Sequence, residues 1–353
     1  MKPFLAALFS VEGLTLKDDE KRIFEEYNPL GVVLFNRNLK TKEQAKHLVE
    51  EIKTVLQRDD VLIAVDQEGG RVNRLRALGF KEYASEDLLG RINDAKTIKQ
   101  HADLIAKDMH CIGANLNFAP VLDLTTPMMT NALVGRTFSG EPEKTAELGR
   151  IMWKEYEKCG ICPCMKHLPG HGFATCDPHL MLPKIELPFE ALEDSFLPFE
   201  KNRDCPSGMT AHIVLECVDK ENPITLSEKA IREIIRGKIG FEGFLFSDAI
   251  EMFALKGTIK ERAERALDAG CDCVCYCLGK IEDMRQICSL KRCLTDEALV
   301  RFEKIKKIVC AHKTYSALET QEKEYYNTLS QYEEIKVNYD ATETLCLLNK
   351  GEK

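Results

Sequence analysis

The stretch Lys166–His179, KHLPGHGFATCDPH, gathers His167, His171 and His179, three of the chain's 8 histidines, into one segment laced with Pro, Gly and Asp. His167 and His171 stand four apart, the spacing that on a helix would put two metal-binding imidazoles on one face. Pro169, Gly170 and Gly172 argue against a helix there, because Pro removes a backbone donor and Gly gives up too much entropy. The segment reads as a loop, so its imidazoles call for chemistry other than a helical metal site. HExxH and paired CxxC spacings are absent, as are G-x-G-x-x-G and Walker loops, so neither a metal nor a nucleotide cofactor is expected.

Other ionisable residues stand at the ends of apolar runs: Asp66 with Arg71 and Arg74, Asp123, Lys166 with His167, His212 and Asp248. The loop after the fifth run adds His171, Asp177 and His179. Such a recurrence at run ends is what an active site needs and what a purely structural framework does not.

The runs that must position these residues are short and β-type. They cover residues 5–13, 31–36, 61–70, 114–124, 160–170, 207–216, 243–249 and 271–279. Between them the apolar residues follow a helical period. Thr41 and Gln44 read as a capping box ahead of Ala45, Leu48, Ile52 and Val55, while Ile98, Ala102, Ile105 and Met109 repeat the spacing until Gly113 stops the helix. Strand and helix alternate throughout, and continuously apolar strands imply a parallel sheet covered on both sides. The expected fold is α/β, a (β/α)8 TIM-type barrel, with its site at the C-terminal ends of the strands. A doubly wound open sheet is the alternative. No linker or internal repeat divides the chain, so residues 1–353 are expected to form a single domain, with the barrel over about 5–292 and helices and a frayed NKGEK tail after it.

Composition narrows the partners. The 353 residues are 44% hydrophobic and 30% charged, enough for a full core, and the net charge of −8 leaves no basic excess for nucleic acid or an anionic membrane. The apolar run near the N-terminus stops at Glu12, too short for a secretory h-region, and no stretch is long enough to span a bilayer. Among the 15 cysteines, Cys271, Cys273, Cys275 and Cys277 alternate so that one strand face would carry all four. The outer two would then lie roughly 20 Å apart, too far for one metal. Unpaired buried thiols of this kind suit a reducing cytoplasm, where the chain is expected to reside, a monomer being favoured.

Three blocks then make a resemblance specific. VDQEGGRVNRLR at 65–76, KHLPGHG followed by DPH at 166–179, and FSDAIEM at 246–252 resemble signature blocks of glycoside hydrolase family 3. The single-domain bacterial β-N-acetylglucosaminidases of peptidoglycan recycling are the nearest likeness. GVVLFNRN, NFAPVLDL and GRTF, at 31–38, 117–124 and 135–138, follow that branch in the same order. The resemblance implies a retaining exo-β-N-acetylglucosaminidase with Asp248 as nucleophile and His179, paired with Asp177, as acid/base. Glu251, three residues past Asp248, is a competing acid. Asp66, Arg74, Arg136, Lys166 and His167 are implied to hold the hydroxyls and N-acetyl group of the sugar. Arg71 could instead pair with Glu68 or Asp66, and Asp123 and His171 are expected to support the site from behind. The implied substrate is an N-acetylglucosaminyl-1,6-anhydromuramoyl compound with or without peptide. The alternatives are a phosphorylase, since an imidazole does not repel phosphate, and an inactive sugar-binding barrel.

The sequence departs from the family where Ala249 follows Asp248, where Phe173 and Ala174 follow PGHG, and where Pro178 sits inside the dyad. Pro178 should stiffen the loop, while Gly170 and Gly172 would let it move.

Overall fold

The computed structural model describes residues 2–311 and 318–335. Eight parallel strands close into a barrel: β1 (Leu5–Phe9), β2 (Pro29–Leu34), β3 (Leu62–Val65), β4 (Leu116–Asn117), β5 (Cys162–Leu168), β6 (Ser207–Thr210), β7 (Phe244–Ala249) and β8 (Cys273–Tyr276). Each strand pairs with its sequence neighbours. Closure comes from β1 on β8, with Ala7 opposite Val274 and Phe9 opposite Tyr276. The open-sheet alternative is thereby set aside.

Strand alternation builds two cores. Ala6, Leu8, Leu62, Ala64, Phe244, Phe246, Cys273 and Cys275 form one buried cluster inside the barrel. Their neighbours Ala7, Phe9, Ile63, Val65, Leu245, Val274 and Tyr276 join the larger cluster against the helices. Both faces are apolar because both are covered, as parallel strands require. Helix Asp296–Val309 sends Ala298, Phe302 and Ile305 into the interior cluster, and Phe302 meets Phe4 and Phe244 edge-on or tilted at 5.4 and 6.2 Å. That helix closes the barrel at the end opposite the loops that carry the ionisable residues.

Most expected elements appear, with instructive differences. Thr41 caps helix Lys42–Leu56 by accepting from the Gln44 N–H, but the Gln44 side chain accepts from Lys40 rather than from Thr41 itself. Strand β4 is much shorter than the run at 114–124. Pro120 lacks a donor, and the chain beyond it continues through single contacts such as Leu122 N–H to the Lys166 carbonyl at 2.7 Å. Side chains take over the ladder: Asn115 and Asn117 accept from the N–H groups of Ile63 and Gln67 at 2.8 and 3.0 Å. The run at 207–216 also divides, β6 giving way to Val214–Leu215, which pairs with Lys184–Ile185 at the far end of the histidine loop. Of the four alternating cysteines, Cys273, Cys275 and Cys277 side with the interior, while Cys271 precedes the strand and packs outside. All the described cysteines are free thiols. The expected terminal helices are present as Asp296–Val309 and Leu318–Leu329, and the NKGEK tail lies outside the described residues. Among the described residues no helix is long and apolar enough to cross a membrane.

Gly31 shows how tightly the barrel is wound. A Cβ there would stand 1.9 Å from the Leu62 carbonyl oxygen on the adjacent strand. Gly31→Ala is therefore expected to cost at least about 2 kcal/mol through forced displacement of β2 from β3. An unchanged denaturant midpoint would contradict this packing.

Candidate active site

The C-terminal ends of the strands surround one pocket, lined by Asp66, Glu68, Arg71, Arg74, Arg136, Lys166, His167, His179, Asp248 and Glu251, over a floor that includes Phe35, Phe118 and Met209. Every residue implied to act on or hold the sugar lines it except Asp177, which stands directly behind His179; Asp123, His171 and His212 are not part of its lining.

The polar wall is built on Glu68. After β3 the chain makes a short antiparallel hairpin, Gln67–Gly69 with Val72–Asn73, that turns Glu68 inward. Arg136 donates to both of its carboxylate oxygens at 2.8 Å, and Lys166 Nζ lies 2.7 Å from Glu68 and 2.9 Å from Asp66. Burial alone would push the Glu68 carboxyl upward, yet Arg136 and Lys166 hold it well below the carboxylate range. Burial likewise pulls on Lys166, and Asp66 and Glu68 overcome it and raise the ammonium. Arg136 and Lys166 are thus held charged, and beside the Asp66 carboxyl they present donors and acceptors of the kind that orient hydroxyl groups. Arg71 donates to the carbonyls of Asn131 and Ala132 at 2.7 and 2.5 Å, and Arg74 lies 5.9 Å from the Phe35 ring centre.

Asp123 does not reach the pocket; it organises the residues that do. Its Oδ2 is 2.6 Å from His167 Nδ1, and its Oδ1 accepts the His171 backbone N–H at 2.6 Å. The carboxylate fixes the proton on Nδ1 and turns the other edge of the ring to the cavity. Asp123 is buried, which would raise its pKa, but the imidazoles of His167 and His171 and the His171 N–H pull it below its ordinary value. His171 is buried with no partner at either ring nitrogen among the described residues, and desolvation lowers its pKa to about 4.

Asp248 ends β7. One oxygen accepts the Ala249 N–H at 2.7 Å. Desolvation pushes its pKa up, and the nearby imidazoles of His212 and His167, the Ala249 N–H and His179 more than reverse this, so the carboxylate is ionised and available. His212 itself bonds Thr225 and the Ala249 carbonyl, buttressing the strand end.

His179 faces Asp248's pocket from the histidine loop. Asp177 Oδ1 lies 2.7 Å from His179 Nδ1 and also accepts the His179 backbone N–H at 2.9 Å. The pair is a self-contained turn: the N–H groups of Leu180 and Met181 both return to the Asp177 carbonyl at 3.0 Å. Pro178 does more than stiffen it, since its carbonyl accepts the Ala254 N–H at 3.1 Å and ties the loop to the segment after β7. Gly170 and Gly172 are spent on close approach: a Cβ at Gly172 would lie 2.4 Å from the Leu124 carbonyl oxygen, and one at Gly170 3.0 Å from that of Ser195. Glu251 is also in the pocket wall. Both its oxygens accept the Cys277 N–H, at 3.1 and 3.2 Å, and burial, reinforced by the charge of Asp248, raises its pKa to about 7.

A carboxylate and a carboxylate-oriented imidazole facing one polar cavity can perform substitution at an acetal carbon. The family comparison decides where this belongs. Residues 5–308 match the glycosyl hydrolase family 3 N terminal domain.

The chain belongs to glycosyl hydrolase family 3.

It is accordingly a glycoside hydrolase. Among curated relatives, the beta-hexosaminidase of Neisseria gonorrhoeae is 37% identical over 280 residues, 76% of each chain. That of Pseudomonas aeruginosa is 33% identical over 291 residues, 81% of this chain and 86% of its own. The crystal structure of N. gonorrhoeae NagZ in complex with N-trifluoroacetyl-D-glucosamine superposes with a TM-score of 0.80 at 30% identity, covering 92% of this chain and 98% of that one.

Within this glycosidase the sequence pointed to the ends of the charged network but missed its centre. Glu68 stands two positions after Asp66 in DQEGG, so its motif was in view, yet Arg136 lies 68 residues away and nothing local announces the pair.

The neutral, buried His171 sets a pH dependence. An unfolded histidine titrates near ~6.5, whereas the folded one does so at about 4. Between these values the unfolded chain binds the extra proton, so stability rises with pH across the window and the contribution is fully present above it. The amount at stake is about 3 kcal/mol. Denaturant titrations of wild type and His171→Asn at about pH 7 and about pH 5 should show a smaller loss on acidification in the variant. Equal losses would contradict the assignment.

Proposed function

We propose that this family 3 glycosidase is a retaining exo-β-N-acetylglucosaminidase that removes N-acetylglucosamine from cell-wall fragments of the GlcNAc-1,6-anhydro-MurNAc type, with or without peptide. It does so in the cytoplasm as one barrel domain and as a monomer. The observation that carries the proposal is that ionised Asp248 and the His179–Asp177 pair face one pocket. The beta-hexosaminidase names of the relatives, and the N-acylated glucosamine in the N. gonorrhoeae complex, support the sugar.

In the first step Asp248 attacks the anomeric carbon as the bond to the leaving oxygen breaks. His179 delivers its Nε2 proton to that oxygen, and Asp177 stabilises the imidazole through Nδ1. In the second step neutral His179 takes a proton from water, whose oxygen displaces Asp248 and releases N-acetylglucosamine. Asp66, Arg74, Arg136, Lys166 and His167 hold the sugar's hydroxyls and N-acetyl group in the first subsite. Neither step draws on a metal or organic cofactor.

Asp248→Asn should lose at least about a thousandfold in turnover of p-nitrophenyl N-acetyl-β-glucosaminide while still binding N-acetylglucosamine. Retained activity would sink the nucleophile. Wild-type release should be indifferent to added phosphate and to chelators; strong stimulation by phosphate would make the protein a phosphorylase, and no release at all would make it a binding barrel.

His179 and Glu251 separate by leaving group. His179→Ala should lower turnover of the natural disaccharide by roughly 100-fold or more and that of activated aryl glycosides far less. Glu251→Gln should keep the wild-type ratio between the two substrates. The opposite pattern would transfer the acid role to Glu251.

A further inference from the structure

Helix Leu318–Leu329 follows the stretch matched by the family domain, 5–308, and buries Tyr325 completely, with Tyr326 and Leu329 packed against the same core. The Tyr325 hydroxyl accepts the Ala84 N–H at 3.0 Å and lies 2.8 Å from His101 Nδ1. His101 is buried, which lowers its pKa to about 3, so the ring is neutral and Nδ1 accepts the phenol proton. The hydroxyl thus takes one hydrogen bond and gives one. A buried N–H is costly without an acceptor, so Ala84 is held where the phenol is.

What Tyr325 holds is in contact with the pocket wall. Ala84 belongs to the segment that joins the turn Arg74–Leu78 to helix Glu86–Ile92, and that segment backs the hairpin after β3. A Cβ on Gly69 would lie 2.0 Å from the Ala84 carbonyl oxygen and 3.1 Å from His101 Cε1, and one on Gly70 would lie 2.7 Å from Ser85 Cβ. The Gly70 N–H also donates to the Tyr83 carbonyl at 2.8 Å. Gly69 and Gly70 stand between Glu68 and Arg71, both of which line the pocket. The hold on the segment extends to either side of Ala84. The Tyr326 hydroxyl donates to the Glu82 carbonyl at 3.1 Å, and the Ser85 N–H faces the Glu334 carboxylate at 3.3 and 3.4 Å.

We infer that Tyr325 is a positioning residue for the sugar pocket: through Ala84 and the Gly69–Gly70 turn it sets where Glu68, and with it Arg136 and Lys166, stand. The inference rests on the reading of that charged network as the wall that holds the sugar. Asp248 and His179 are carried by other elements, β7 and the histidine loop. Tyr325 therefore governs how tightly the sugar is held and leaves the bond-breaking groups in place, so its loss raises KM and spares kcat. A phenol that served only the core would do the reverse, lowering stability with KM unmoved.

The test compares Tyr325→Phe, which removes the hydroxyl and keeps the ring, with Glu334→Ala, which removes an exposed carboxylate without opening the core. On p-nitrophenyl N-acetyl-β-glucosaminide, KM should rise by about fivefold or more in Tyr325→Phe and by about threefold in Glu334→Ala, with kcat within about twofold of wild type in both. The Kd for N-acetylglucosamine should rise by the same factors. An unchanged KM and Kd in Tyr325→Phe, or a kcat that falls as far as KM rises, would overturn the positioning role while leaving the glycosidase intact. Should Tyr325→Phe fail to fold, the same readings on Glu334→Ala decide. Failure of the wild type to release sugar from the p-nitrophenyl glycoside would overturn the function reading and the positioning role with it.

Discussion

The polar half of the pocket depends on one buried carboxylate. Glu68 is enclosed by protein, and an ion so placed is tolerated only if cations replace the water it has lost. Arg136 and Lys166 do so from two different places in the chain, the loop after β4 and strand β5. Satisfying Glu68 therefore fixes three segments against one another. The charges balance at two anions and two cations, Asp66 and Glu68 against Arg136 and Lys166. Glu86, also buried nearby, is pushed toward its neutral form: desolvation and the charge of Glu68 drive its pKa well upward, while its carboxyl accepts the Val121 N–H. A fully ionised Glu86 would compete with Glu68 for the same two cations. Removing Glu68 would strand two buried cations beside Asp66, which costs more than the pairs themselves contribute.

The same economy governs the acid/base side at a smaller scale. Asp177 accepts both a ring proton and a backbone N–H from His179, so one carboxylate orients the imidazole and closes the turn that presents it. Asp123 does the equivalent for His167 and the backbone at His171. In each case the residue that touches the cavity is aimed by one that does not.

How much of this the sequence shows follows from the range of the interactions. Strand alternation and helical periodicity are local, so the barrel, its strand order and the end carrying the site are all legible. Asp66, Lys166, His167 and Asp248 are legible too, because each follows an apolar run. Legibility fails where a single residue or a distant partner decides. The regular part of β4 is only Leu116–Asn117 although its hydrogen bonds to β5 run on to Leu122, and the side chains of Asn115 and Asn117 complete the ladder toward β3. Gly170 and Gly172 also serve a packing need that their sequence neighbours do not announce, since the backbones of Ser195 and Leu124 occupy the space that a side chain would need. Glu68 is invisible as a centre because its guanidinium partner is remote along the chain.

The closed lower end of the barrel has a bearing on traffic. Helix Asp296–Val309, with Phe302 against Phe4 and Phe244, and the packed interior above it leave the pocket a blind alley. In the proposed two-step reaction, water for the second step would come in by the mouth through which the first product goes out. The two movements would then be consecutive, and the lifetime of the proposed sugar–enzyme ester would be governed by how quickly the doorway clears. An alcohol lingering there would be as well placed as water to accept the sugar, so the balance between hydrolysis and transglycosylation would be set at the rim, away from Asp248.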